Sequence, residues 1–337
     1  MNDAKNKKDA RTAADVKRTR ITILVAAIVV VAVGLIAGIA IYQNRVRPFN
    51  AVIVAVDDSE VDMRYFLKRL AMSGEQSFSM LSTLSEELLL RKVAPQPPYN
   101  IEVTEDDIDQ LAMDVAKGDA EDISEPEFRE WYRQQINETR FSEEEFRTLL
   151  KTTLLAQRMT EYLSDRVPET AEQVFLHMIQ VKDVPAGREV KERYDAGEDF
   201  AALAEEYSVD QQLAESGGEF GWFPKAALSD ALSYAAFDLE VGECSDPFFI
   251  GDLDNETAVV IMVSEKDPNR ILDERSLEAV KAAALEDWFL EEFDNHSVEF
   301  YGLDRTTGYD SGTDAWVNWQ LMRMKRNEED QQAEQAG

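Results

Sequence analysis

A chain of 337 residues with 44% hydrophobic and 30% charged side chains has material for two ordinary domains plus accessories, and is neither collagenous nor disordered overall. Its 67 acidic against 35 basic residues give a formal charge of -32, which repels phosphate backbones and anionic membrane surfaces and excludes nucleic acid as a partner. One cysteine, Cys244, and two histidines, His177 and His296, exclude a disulfide framework, a cysteine-rich zinc site and a histidine-based metal centre; no phosphate loop or dinucleotide fingerprint asks for a cofactor.

Residues 1–20 form a basic tail, with Lys5, Lys7, Lys8, Arg11, Lys17, Arg18 and Arg20 against Asp3, Asp9 and Asp15. Behind it, ITILVAAIVVVAVGLIAGIAIY (21–42) runs for 22 residues without a charge. At about 1.5 Å per residue such a helix crosses a hydrocarbon core of roughly 30 Å. It reads as an uncleaved transmembrane anchor, because the apolar region of a cleaved signal is usually about 7–15 residues. The positive-inside rule leaves the tail in the cytoplasm and everything after Arg47 outside the membrane; residues 21–337 carry -36 once the tail's +4 is removed from -32.

The region 48–166 begins with a strand, AVIVAV (51–56), that ends at the turn residues Asp57 and Asp58. Helices follow. One starts near Asp62 and runs towards Leu90 with a break around Ser73-Gly74, and prolines 95, 97 and 98 end the helical run. Thr104 caps the next helix, Ser124 with Pro126 opens another, and Ser142 to Glu145 has capping-box spacing. Behind that box Phe146, Leu149, Leu150, Leu154 and Met159 form one stripe of a helix ending near Ser164.

After Pro168 the texture changes. QVFLHMIQV (173–181) reads as a buried strand, 187–208 as a helix interrupted at Gly197, Leu228 to Phe237 as a short helix, and TAVVIMVSEK (257–266) as a last strand. Between them SGGEFGWF (216–223) packs Gly217, Gly218 and Gly221 among Phe220, Trp222 and Phe223. That is a tight turn entering a strand with buried aromatics. The order predicts a small antiparallel sheet covered by helices. A helix over 273–294 carries Leu277, Val280, Ala284 and Trp288 at helical spacing, which predicts that the segment 267–325 packs back on the N-terminal helices. WVNWQLMRM (316–324) is expected as a short helix and 326–337 as a disordered tail.

The blocks QVFLHMIQV, AGEDFAALAEEYSVD, GGEFGWF and AAFDLEVGECSDP, in that order across about 172–266, resemble a parvulin-type (PpiC, rotamase) peptidyl-prolyl isomerase domain at 170–266. More faintly, the opening strand, SEEEFRTLLKTTLLAQRMTEYL and the TAEQV lead-in resemble the helical chaperone lobe of membrane or periplasmic foldases of the SurA and PrsA kind. The fold class this implies is α+β: a parvulin-like sheet with covering helices, a helical chaperone lobe and one N-terminal transmembrane helix.

The resemblance implies His177 as the strand histidine beneath a proline pocket and Asp210 as its polar partner. Phe220, Leu228, Leu232, Phe237 and Val259 then belong to the pocket, and Gly217, Gly218, Gly221, Trp222 and Phe223 to the turn that frames it. Active relatives carry methionine and phenylalanine where this chain has Leu228 and Leu232, and a second histidine where it has Val259, so the paired-histidine network of the family is missing. The function implied is isomerisation of X–Pro bonds and chaperoning of exported chains outside the membrane. The partners are then unfolded or proline-containing exported polypeptides and the membrane, with oligomeric state left open. A catalytically inactive holdase and an envelope assembly adaptor stand beside it. Acidic runs such as Glu105 to Asp107 lack the spacing and glycine of a calcium loop and read as solvated faces.

Overall fold

The computed structural model describes residues 31–40, 42–43, 46–251, 257–303 and 307–336. Of the span expected over 21–42, residues 31–40 and 42 are helical and exposed, while residues 21–30, residue 41 and the basic tail lie outside the described residues. Among the described residues no helix is long and apolar enough to cross a membrane.

In chain order the elements are β1 (Val52–Val56), β2 (Ser59–Asp62), α1 (Met63–Ser73), α2 (Ser77–Val93), α3 (Glu105–Lys117), α4 (Glu125–Thr139) and α5 (Glu143–Ser164). Then come β3 (Thr170–Val181), α6 (Val184–Asp195), α7 (Phe200–Tyr207), α8 (Gln211–Glu215), β4 (Glu219–Pro224), α9 (Asp230–Asp238), β5 (Phe248–Ile250) and β6 (Thr257–Ile271). The last are α10 (Glu274–Phe293), β7 (Val298–Phe300) and α11 (Ser311–Ala336). They fall into two compact units, Met1–Gln96 with Glu102–Leu154 and Glu292–Gly337, and Pro97–Ile101 with Leu155–Glu291.

The first unit is a helical lobe on a three-stranded antiparallel sheet of order β2-β1-β7. β1 sits in the middle, and its Ile53, Val54 and Val56 are fully buried. The sequence reading has β1 without partners; β2 escapes it because SEVD is short and mostly polar, and β7 pairs with β1 from the far end of the chain. Asp57 fastens that pairing. Its carboxylate accepts from the Ser297 N–H at 2.9 Å and lies 2.7 Å from His296 Nδ1 and 3.1 Å from Lys92 Nζ. The His296 hydrogen bond, then the Ser297 N–H and Lys92, hold this carboxyl well below the usual carboxylate range.

Helix boundaries in the lobe follow local chemistry. Asp62 caps α1 by accepting from Tyr65 N at 2.9 Å, and Gly74, at φ 70°, ends it in the left-handed region. Thr104 and Asp107, and Ser124 and Glu127, form reciprocal boxes at the starts of α3 and α4. Ile108, Ala112, Phe141, Phe146 and Leu150 build one core cluster, with Trp131 and Tyr132 packed against it. Arg69, 5% exposed, is ion-paired to Glu87 at 2.7 Å. α11 runs through residues expected to be disordered. RNEEDQQAEQA has no proline or glycine, and its Glu, Gln and Ala favour helix.

The second unit is built on a four-stranded antiparallel sheet of order β4-β3-β6-β5. α6 and α7 pack on one face, through Val190, Phe200 and Leu203, and α8 and α9 on the other, through Leu213, Leu232 and Ala236. β6 continues past Pro268 to Ile271. The pairing slips between Ala171 and Gln173, so a residue lacking an N–H falls where the ladder is already irregular. Trp288 of α10 donates through Nε1 to the Tyr99 hydroxyl at 2.8 Å, and Tyr99 in turn stands edge-on to Tyr162 near the end of α5.

Candidate active site

β3 is the axis of the second unit, with β4 on one side and β6 on the other. Side chains of a strand alternate between faces, so Val174, Leu176 and Met178 go one way and Phe175, His177 and Ile179 the other. The clusters agree: Val174, Leu176 and Met178 are packed with Val259, Ile261 and Val263 of β6, and Ile179 with Val260 and Met262.

The glycine turn joins α8 to β4, where it passes against both β3 and α7. Gly217 and Gly218 have φ of 66° and 82°, and the Gly218 carbonyl accepts from Met178 N at 2.7 Å. A Cβ at Gly218 would lie 3.1 Å from the Met178 oxygen and from the Phe200 ring, and one at Gly217 would lie 2.7 Å from Ala201 Cβ. Glycine is needed for backbone shape and for close approach at once. Gly221, at φ 120°, sits in β4 opposite Leu176, next to the bulge that shifts the register before His177.

Beyond the turn the apolar side chains on the face of Met178 form one cluster, called the cup below. Phe220, 38% exposed, stacks on Phe223 at 4.9 Å between centroids and 28° between planes. Leu228 and Phe237 are half-buried against the cluster, Leu232 is buried at 7%, and Val259 is fully buried. Asp210 is the N-cap of α8, accepting from Leu213 N at 3.0 Å, and Leu213 belongs to the same cluster. The structure therefore brings together Phe220, Phe223, Leu228, Leu232, Phe237 and Val259, with Asp210 capping the adjoining helix.

His177 is not among them. Its ring lies on the opposite face, 5.3 Å from Phe175 and 6.1 Å from Phe200, with Nε2 3.1 Å from the Ser264 hydroxyl. Trp222 is on this side too, edge-on to Phe175 at 5.5 Å, with the Arg270 guanidinium 4.1 Å above its ring. Burial pulls the His177 imidazole below its ordinary value, opposed by nearby Glu219. The expectation of His177 beneath the pocket is corrected here, because one residue of register turns a side chain to the other face. The β3 residues on the face of the cup are Val174, Leu176 and Met178, of which Met178, hydrogen-bonded to the glycine turn, is passed over by sequence reasoning. Apolar residues stand on both sides of the alternation in QVFLHMIQV, so its inward face is not marked, and only the pairing of Met178 with Ile261 fixes it.

What the cup can do chemically follows from its lining. The described side chains that form it are hydrocarbon, aromatic or thioether, suited to a small apolar ring and offering no nucleophile. The single thiol, Cys244, is buried on the other face, where burial pushes it up to about 12 and leaves it inert at neutral pH. Among the described residues no group of three or more His, Cys, Asp or Glu side chains could hold a metal ion.

Residues 186–263 match the Rotamase family, described as the PPIC-type PPIASE domain. A foldase protein PrsA from Geobacillus kaustophilus is 48% identical over 69 residues, 20% of this chain and 25% of that one. A foldase protein PrsA from Oceanobacillus iheyensis is 29% identical over 156 residues, 44% of this chain and 50% of that one. The chain thus spans a quarter to a half of the length of these curated relatives. Among solved structures, a peptidylprolyl isomerase (PrsA) from Bacillus cereus is 20% identical and covers 82% of this chain and 92% of its own, with a TM-score of 0.33. The glycine turn, the four-stranded sheet and the sequence matches converge: the chain contains a PPIC-type PPIase domain and is, over part of its length, a homologue of the PrsA foldases.

Proposed function

We propose that the chain is a foldase of exported proteins, a peptidyl-prolyl cis-trans isomerase with a helical chaperone lobe, held outside the cytoplasmic membrane by a span over 21–42 with its N-terminus inside. The observation that carries the reading is the cup of Phe220, Phe223, Leu228 and Met178 beside the glycine turn. An X–Pro amide resists rotation by about 18–20 kcal/mol because resonance holds it planar, and unaided exchange takes tens of seconds or more. Seating the proline ring in the cup takes it out of water. The loss of charge separation in the twisted amide then costs less than in bulk solvent, and rotation is favoured over the planar ground state. The chemistry needs no proton transfer, which suits a cup whose strand positions are Met178 and Val259.

The same lining favours a second reading, a holdase that binds proline-containing segments without turning them over. A protease-coupled isomerisation assay on the full-length chain in detergent separates the two. We expect activity above background that Phe220→Ala lowers about tenfold, a loss of about 1.4 kcal/mol in transition-state binding. His177→Ala should leave it within about twofold, because its ring faces away from the cup. Suppressed aggregation of an unfolded client with no isomerisation would establish the holdase. Protease protection of residues 1–20 in sealed inside-out and right-side-out vesicles tests the topology.

A further inference from the structure

In the first unit the segment that follows the charge-free stretch meets the C-terminal helix. Phe49 stands edge-on to Trp316, with ring centroids 5.3 Å apart and planes at 63°. Trp319 and Arg323 continue the same depression, of about 590 Å³. Trp319 is 51% and Met322 60% exposed, and the Arg323 guanidinium lies 5.5 Å from the Trp319 ring centroid. Helical spacing places 316, 319, 322, 323 and 326 along one side of α11. Between Asp314 and Glu328 the helix carries basic residues and no acid, in a chain where acids outnumber bases 67 to 35.

We infer that this patch is a membrane-contact surface: Trp319 and Met322 enter the headgroup zone of the outer leaflet while Arg323 and Arg326 meet anionic lipid phosphates. The inference rests on the anchored reading proposed above. Chain reach supports the bilayer as the occupant. Phe49 follows Tyr42 by seven residues, so at about 3.5 Å each it cannot stray more than about 25 Å from the end of the span, and the turn at Arg47–Asn50 shortens that reach. Composition agrees, since tryptophan seats its amphipathic ring at the membrane–water boundary and arginine extends its charge from an apolar stem. Electrostatics supplies the orientation. An anionic surface repels most of residues 21–337, which carry -36, but attracts this stretch of α11, so the lobe docks by one side.

The test uses the full-length chain in phosphatidylethanolamine/phosphatidylglycerol vesicles with and without brominated acyl chains, reading tryptophan quenching after an alkaline carbonate wash. Far-UV circular dichroism serves as the folding control. We expect bromolipid to quench part of the emission of the five tryptophans, and that part to fall by about half in Trp319→Phe. Arg323→Glu with Arg326→Glu should lower it too, and replacing phosphatidylglycerol by phosphatidylcholine should mimic that double variant. Quenching unchanged in Trp319→Phe, with protein retained on the vesicles, overturns the inference alone. A cross-linked dimer through α11 that bromolipid does not quench also overturns it, and assigns the patch to a second copy. Release of the wild type by carbonate overturns the anchored reading and the inference together.

Discussion

Two faces of one sheet in the rotamase unit differ in what their side chains are used for. On one, Met178, Val259 and Leu232 are buried together, with Leu228 half-buried against them and Phe220 left 38% exposed. On the other, α6 and α7 close over Ile179 and Val260, and the polar chemistry is spent on structure: His177 on Ser264 beside the β6 bulge, Arg270 on Trp222. The histidine that draws the eye in the sequence thus belongs to the closed side. On the proposed reading the Met178 side gains its selectivity from shape, because a cup without hydrogen-bonding groups would distinguish a proline ring by fit and by what it displaces from water.

Matched truncations break or sharpen this contrast. Leu232→Ala on the Met178 face should cost about 3 kcal/mol of stability by leaving a cavity and, per folded molecule, lower kcat/KM at least tenfold. Val190→Ala on the closed face should cost about 2 kcal/mol and leave kcat/KM per folded molecule unchanged. Denaturant unfolding beside the isomerisation assay checks both, and an equal catalytic loss from the two would abolish the distinction between the faces.

Gly218→Ala should destabilise by about 2 kcal/mol, from left-handed backbone strain and the approach to the Met178 carbonyl and Phe200. Gly242→Ala is the control. It has a similar φ of 84° but nothing near its Cβ, so it should cost less, about 1 kcal/mol. Equal midpoints for the two would mean that strain alone, and not the close approach of the turn to β3 and α7, explains the glycine.

The smallest effect is a pH dependence. Because the folded His177 pKa lies below its ordinary 6.5, the unfolded chain takes up the proton first. The stability of the neutral ring is complete above the unfolded value and is lost as pH falls through it towards the folded one. Between about pH 7.5 and 5.5 the wild type should lose stability relative to His177→Gln, by less than about 1 kcal/mol for a ring still in contact with solvent. A difference that grows as pH rises would contradict the burial of the neutral ring.

Much of this architecture is written in short-range signals. Thr104, Ser124 and Ser142 mark helix starts because a cap and its partner lie three residues apart, and SGGEFGWF marks the turn because glycine combines a positive φ with the close approach to Met178 and Ala201. Facing is harder to read. In QVFLHMIQV apolar residues alternate with apolar residues, so whether His177 or Met178 meets the cup depends on a register set by β6, some eighty residues later. β7 has the same difficulty: a three-residue strand carries too little pattern to name a partner, and the Asp57 clamp that seats it is made by residues far apart in sequence. The helical tail of α11 is a case of composition misleading, since a run of charge and glutamine reads as solvated while remaining good helix material.

The middle position of β1 in the lobe sheet bears on the order of assembly. One neighbour, β2, follows within a tight turn, but the other edge waits for β7, delivered only after the whole isomerase domain has been made. A chain emerging from its N-terminus therefore presents Val54 to Val56 as a half-satisfied strand edge for most of its synthesis, with the isomerase domain free to fold first on its more local contacts. A protein proposed to assist the folding of others passes through an incompletely paired state itself, and the arrival of Val298–Phe300 ends it.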